Sequence, residues 1–303
     1  MDSPADAPLP VRTVTAEPPG FGSLLAEAAR FPALVLRHRD LLASFVRRDV
    51  QARFHASVLG RLWPVLQPDL LLGLYYLVFV SILKLKYDAA GLSGPGVPEG
   101  TVPLWLFLGV LLWSAFAATV GRGTGAIVDH GNLVKTSAFP SQLLPFSIAL
   151  AEGVVFLLGF LVFAVASYAL GVGLPVKALL LPVLLVGLLA FALGLSLFTA
   201  AANVFVRDTA NLVSVFLLFW MFLSPIFWPA ESLARGLPPA LGATLRLNPM
   251  YHVLEAARDL CGLPPRPGIP LLPIAVVLGS GVLSLELGYA YFLGARRRFA
   301  DEI

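Results

Sequence analysis

The sequence predicts an all-α integral membrane protein. It has six transmembrane helices, an N-terminal interfacial amphipathic helix, and short re-entrant helices before the last span. Three observations carry this. The 303-residue chain is 58% hydrophobic and only 13% charged, about half the charged share of a soluble domain. Six apolar stretches, at 65–84, 104–121, 144–170, 176–202, 211–229 and 269–293, are each long enough to cross a hydrocarbon layer, which takes about 20 helical residues. The segment ahead of them, 47–68, is apolar on one side and basic on the other.

Residues 1–20 contain Pro4, Pro8, Pro10, Pro18 and Pro19 with little hydrophobic periodicity and read as a disordered tail. They hold no basic start followed by an apolar core, so no cleaved signal peptide is expected. Residues 21–62 read as cytoplasmic interfacial helices, the first of them (22–38) broken at Pro32, and 63–303 as the transmembrane domain. At 100° per residue, Leu42, Phe45, Val46, Val50 and Phe54 form one stripe, with Arg47, Arg48, Gln51 and His55 mostly opposite. A helix of this kind lies in a membrane interface. Asp49 and Arg53 fall inside the apolar stripe, four residues apart, where they can pair. Gly60 then loosens the helix, and Trp63-Pro64 turns the chain into the first apolar run.

The third and fourth stretches are separated only by residues 171–175, where Gly171, Gly173 and Pro175 predict a tight turn between two spans. With the N-terminus inside, fourteen of the 21 Lys and Arg residues fall on inner segments. This satisfies the positive-inside rule and puts both termini in the cytoplasm.

The pattern Arg48-Asp49-x-x-x-Arg53-Phe54-x-x-Ser57-x-Leu59-Gly60-x-x-Trp63-x-x-x-x-Pro68 resembles the N-terminal signature of ABC-2-type permeases that export polysaccharides, among them O-antigen, capsule and teichoic-acid exporters. Four further segments agree. The inner loop carries Asn132, Leu133, Val134, Lys135, Phe139, Pro140 and Pro145, matching the family pattern NLIxKxxFPxxxLP. Ser141 stands where the family has a second basic residue. Residues 247–250 (Leu247-Asn248-Pro249-Met250, followed by Arg258) resemble the LNPM motif, and Phe299-Ala300-Asp301-Glu302-Ile303 the FADxI ending. Arg207-Asp208 resembles the family's short loop between spans four and five.

The resemblance implies that Asn132, Leu133, Lys135, Phe139 and Pro140 form a short cytoplasmic helix and loop docking in a groove of an ATPase. It implies a gate on the outer side around Asn248, Pro249 and Arg258, and an interfacial gate helix with Arg48, Asp49, Arg53 and Trp63. On the residues themselves, Asn248 before Pro249 is a helix start, with Asn as cap and Pro at the first position. The pieces 237–245 and 250–260 are too short to span and can dip into the membrane only where protein or water satisfies their backbone. Asp208 is placed to cap the fifth span or pair with Arg207. The arginines 296–298 are an anchor for anionic lipid heads.

The chain has no GxxxxGK[ST] motif, so active export implies a separate P-loop ATPase, in two copies, holding ATP and Mg. No cofactor is expected in this chain itself. Six spans make a small wall for a glycan channel, so a second copy of the chain is expected to complete it. One cysteine and four scattered histidines argue against a metal site, and the few charges argue against nucleic acid as the reason for a pI of 9.2. The partners implied are the membrane, the ATPase and a lipid-linked glycan, and the location is the plasma (inner) membrane. Trp105, Trp113, Phe216, Phe219, Trp220 and Phe227 are candidates for lining the channel, because aromatic planes stack on the apolar faces of sugar rings. The bland reading of each is ordinary packing or an interfacial belt. Asp69, Glu152 and Glu286 lie within apolar runs, where carboxylates point to function. Asp69 and Glu152 fall near inner ends, where wetting explains them. Alternative readings are an ABC-2 exporter of a drug or small lipid, a membrane-embedded glycolipid-processing enzyme, and a structural subunit.

Overall fold

A computed structural model describes residues 35–55, 97–135, 140–229 and 244–302, with scattered positions between 70 and 92. The described residues are helical and contain no strand. α1 (Arg39–His55) is followed by α2 (Thr101–Asp129), α3 (Gly131–Lys135) and α4 (Leu143–Ala169). A 3-10 turn (Val176–Leu180) leads into α5 (Leu181–Phe205). Then come α6 (Thr209–Leu223), α7 (Pro249–Leu260), α8 (Leu271–Arg296) and α9 (Phe299–Glu302). α2, α4, the turn plus α5, and α8 are long and apolar enough to cross a membrane. They match the second, third, fourth and sixth apolar stretches of the sequence. The first stretch lies mostly outside the described residues, as do Trp63 and Asp69.

The fifth stretch is not one continuous helix. α6 has 15 residues and reaches about 22 Å at 1.5 Å per residue. It stops where Pro225, which has no N–H to donate, follows Ser224. The Ser224 hydroxyl turns back to the Trp220 carbonyl, 2.9 Å away. Phe227 therefore lies beyond the helix that carries Phe216, Phe219 and Trp220. Between the third and fourth stretches the chain turns through Gly171 and Gly173, with φ of 75° and 72°. Both are in the left-handed region that glycine enters without a Cβ penalty.

α2 is the most enclosed of the long helices and packs against α4, α5 and α6. α5 and α8 share the most extensive contact. A Cβ on Gly288 would overlap the Gly194 carbonyl, and one on Gly194 would overlap the backbone of Ser284. Glycine at both positions lets the two backbones approach as small residues do in membrane helix pairs. Two apolar clusters result. The larger surrounds the N-terminal half of α2 and takes in α7; the smaller joins Ile127, Leu144, Leu197, Phe292 and Phe299.

α1 lies along α4. Leu42 is buried, and Phe45, Val46 and Val50 are half-buried, while Arg47, Arg48 and Gln51 are exposed. The apolar stripe of the sequence is thus the seam that α1 presents to the bundle.

Candidate functional site

Four charged side chains meet where α1 crosses α4. Arg53 donates to Asp49 at 3.1 Å, one helical turn back on α1. It also donates to both carboxylate oxygens of Glu152 on α4, through Nη1 at 3.1 Å and through Nη2. Arg122, near the end of α2, donates to Glu152 Oε1 at 2.6 Å and to Asp49 Oδ1. Two guanidiniums and two carboxylates thus form a closed, charge-balanced ring across three helices. The Glu152 side chain is 4% exposed, against 26% for Asp49 and Arg53 and 39% for Arg122.

The expected Asp49–Arg53 pair is present, but as one edge of this ring. Glu152 is not wetted at a helix end; it is buried and holds both arginines. Arg122 was not singled out from the sequence. The available signal was a carboxylate inside an apolar run, which needs a cation, and Arg122 directly follows the preceding apolar stretch. Arg48 stays on the outer side of α1, with its guanidinium 5.2 Å from the Phe45 ring centre.

On the same end of the bundle, α3 carries Asn132, Leu133, Val134 and Lys135. Asn132, Leu133 and Lys135 are exposed, and Val134 is half-buried against the smaller apolar cluster. The short helix expected there is present. Residues 136–139, including Phe139, lie outside the described residues, and Pro140 is half-buried where the chain re-enters α4. Ser141 is buried, at 2% exposure. The position where a second basic residue was expected is therefore inside the fold. Asp208 does not cap α6 with its side chain; Asn203 on α5 accepts from the Ala210 N–H at 3.2 Å instead.

A second constellation occupies the other end of α2. Asn248 caps α7, accepting from the Met250 N–H at 3.0 Å, and Pro249 is the first helical residue, as the sequence predicts. Asn248 also accepts from the Trp220 indole N–H at 2.9 Å and donates to Ser224 at 3.0 Å. Arg258, 2% exposed, lies on α7 with its guanidinium carbon 3.3 Å from the Trp105 ring centre. It donates to the carbonyls of Pro225 at 2.6 Å and Ile226 at 3.0 Å. A desolvated cation over indole is among the stronger contacts of its kind. The break after α6 thus supplies the backbone oxygens that hold Arg258.

The aromatic candidates divide accordingly. Trp105 and Trp113 are buried within the subunit. Trp220 packs edge-on against Phe116, at 5.1 Å, and Phe191, at 6.0 Å, and lies 6.5 Å from Trp113. Phe216 and Phe219 are well exposed, Phe216 with its ring 5.3 Å from that of Trp220. Phe227 is half-buried, 6.4 Å from Phe222. Glu286 is half-buried on α8.

Comparison with known proteins identifies the family. The model of the ABC-2 type transporter family matches residues 40–261, which takes in the ion ring, α3 and the Asn248–Arg258 constellation. The chain belongs to the ABC-2 type transporter family. Among its relatives is the O-antigen export system permease protein RfbA of Myxococcus xanthus, 31% identical over 88% of this chain and 96% of that protein. A protein of the same name from Klebsiella pneumoniae is 24% identical over 86% and 94%. The polysialic acid transport protein KpsM of Escherichia coli is 22% identical over 70% and 77%. As an ABC-2 chain, the molecule places its charged ring and its Arg258 constellation at opposite ends of one helix. Trp105 and Arg122 are about 25 Å apart along α2 at 1.5 Å per residue.

Proposed function

We propose that the chain is the transmembrane subunit of an ATP-driven exporter that moves a lipid-linked polysaccharide of the O-antigen kind out of the cytoplasm. The observation that carries this reading is the end-to-end similarity to the Myxococcus permease, which covers 96% of that protein at 31% identity. Two copies of the chain form the pathway in the inner membrane, both termini are cytoplasmic, and two copies of a P-loop ATPase bind ATP and Mg. The exposed edge of α3, with the loop through Phe139 and Pro140, is the docking element for the ATPase. The ring of Asp49, Arg53, Arg122 and Glu152 seats α1 at the cytoplasmic entrance together with Arg48 and Trp63. Asn248, Pro249 and Arg258 form the outer gate. Phe216 and Phe219 are the aromatics with free faces against which a sugar polymer slides, while Trp105, Trp113 and Trp220 support the gate from behind.

The test is deletion and complementation in the source cells. Loss of the chain should remove the surface glycan and leave its lipid-linked precursor inside, and the intact gene should restore export. The double variant Phe139→Ala, Pro140→Ala should insert normally yet lower both export and ATP hydrolysis by the complex. Unchanged surface glycan in the deletion strain would end the polysaccharide reading. Unchanged export by the double variant would remove the loop from coupling.

A further inference from the structure

The C-terminal residues reach the same end of the bundle as α3, and they touch both ends of the segment that joins α3 to α4. At one end, α9 packs against α3. At the other, Arg296 donates to the side-chain carbonyl of Gln142 at 3.0 Å. Gln142 is 1% exposed and is the residue immediately before α4. Between these contacts Phe299 is buried to 1% exposure. It lies edge-on to Phe292 of α8 at 5.3 Å and 6.3 Å from Phe205, the last residue of α5.

We propose that residues 296–302 are a clasp that positions the loop 131–142 for its ATPase partner, with Arg296 and Phe299 as positioning residues. The proposal rests on the reading of that loop as the docking element. The physical argument is one of lever stiffness. α3 is only five residues long, too short to hold its own direction by helix cooperativity. A force applied between α3 and α4 passes into the spans only if both ends of that segment are fixed. Phe299 fixes the first end through α9, on a base made by the ends of α5 and α8. Arg296 fixes the second end by a hydrogen bond to a buried amide. This differs from a lipid anchor, for which Arg296, Arg297 and Arg298 would be equivalent and Gln142 irrelevant.

The experiment uses the full complex in inverted vesicles from the source cells, containing their own lipid-linked glycan. It reads ATP hydrolysed per glycan delivered to the lumen. Arg296→Ala and Gln142→Ala should each raise that ratio about threefold, near the low end of what one net hydrogen bond contributes, since this one is partly open to solvent. The double variant should be no worse than Gln142→Ala alone, because Gln142 donates to the Tyr289 hydroxyl as well as accepting from Arg296, and the Arg296 contact can be lost only once. Arg296→Lys, which keeps a donor, should restore coupling, and Arg297→Ala should change the ratio less than Arg296→Ala. Arg296 is exposed, so its variants should keep the melting temperature of the parent, and the ratio then reports coupling rather than folding. Normal coupling in Arg296→Ala, additive losses in the double variant, or equal effects of Arg296→Ala and Arg297→Ala would each overturn the clasp. The Phe139→Ala, Pro140→Ala variant runs alongside. If it uncouples and the Arg296 variants do not, the clasp fails and the docking loop stands; if it couples normally, the docking reading fails and the clasp with it.

Discussion

The two ends of α2 solve one problem in different ways. Each must hold arginine away from bulk water. At the C-terminal end, Arg53 and Arg122 are held by carboxylates from two helices, and the ring is partly wetted, with Arg122 39% exposed. At the N-terminal end, Arg258 is held by two backbone carbonyls and an indole face, at 2% exposure. Carboxylate side chains can move to new partners, and their attraction is weakened by water and salt. Backbone carbonyls and a packed ring cannot move without moving the chain. The difference separates an adjustable seat for α1 from a rigid pin between α7, α2 and the break after α6.

The sharpest way to break this comparison is Arg258→Ala. It removes the cation over Trp105 and leaves two buried carbonyls short of a donor. The expected cost is about 3–5 kcal/mol, combining a desolvated cation–π contact with two buried hydrogen bonds. Arg258→Lys should recover less than half of it, since an ammonium cannot place two donors in a fixed plane while stacking on indole. Thermal unfolding in detergent checks both. Recovery by lysine would show that charge alone, rather than the planar fork, makes the pin.

At the other end the ring should respond by degrees. Glu152→Ala leaves two arginines facing Asp49 alone and should cost about 2–3 kcal/mol. That lies between the values for exposed and fully buried pairs. Asp49→Ala should cost about 1 kcal/mol, because Glu152 still holds both guanidiniums. Adding Arg122→Ala to Glu152→Ala should recover part of the loss by restoring charge balance. A double-mutant cycle on unfolding and export reads the coupling. Strictly additive losses would mean that the four residues do not act as a ring. Raising salt should narrow the Asp49 effect and leave the Arg258 effect unchanged.

A smaller effect tests the support of the pin. Trp220→Phe removes the indole donor to Asn248 while keeping the ring against Phe116 and Phe191. Asn248 still accepts from Met250 and still meets Ser224. The expected loss is about 1 kcal/mol, one hydrogen bond without an orphaned buried group.

How much of this was legible depended on the range of the signal. Hydropathy and length placed α2, α4, α5 and α8, because those elements answer to local composition. Asn248-Pro249 announced the start of α7, because a cap and its proline are neighbours in sequence. The Asp49–Arg53 pair was visible as an i, i+4 spacing on one helix. The other half of the ring was not, because Arg122 and Glu152 lie on helices whose relative rotation no local pattern records. Arg258 was recognised by motif alone; its carbonyl partners depend on where α6 ends, and its contact with Trp105 on how α7 packs against α2. The aromatics of the second and fifth apolar stretches looked alike in sequence. Packing then put Trp105 and Trp113 inside and left Phe216 and Phe219 outside, since both sides of a membrane helix are apolar.

The smallest signal gives the most direct reading of rigidity at the Arg258 end. Cys261, the chain's one cysteine, follows α7 directly and is buried. Burial pushes its thiol up to about 12, against a smaller lowering influence from Lys177. The thiolate is the reactive form, so at neutral pH the thiol stays protonated and poorly reactive while this end stays packed. The native cysteine should therefore label with maleimide far more slowly than an exposed one, and topology can be mapped without removing it. Ser93→Cys and Ala243→Cys should label from outside intact cells, and Ser137→Cys should not; labelling at 137 would reverse the orientation and the docking loop with it. In the same background Cys261 becomes a reporter. Raising pH from 7 to 9 should increase its labelling about tenfold per unit, because the thiolate fraction grows in that proportion below its titration point. Arg258→Lys should raise the labelling rate further by opening the packed end, whereas Glu152→Gln, in the ring at the other end of α2, should leave it alone. Equal acceleration by the two variants would mean that the ends loosen together and that the contrast between adjustable seat and rigid pin does not hold.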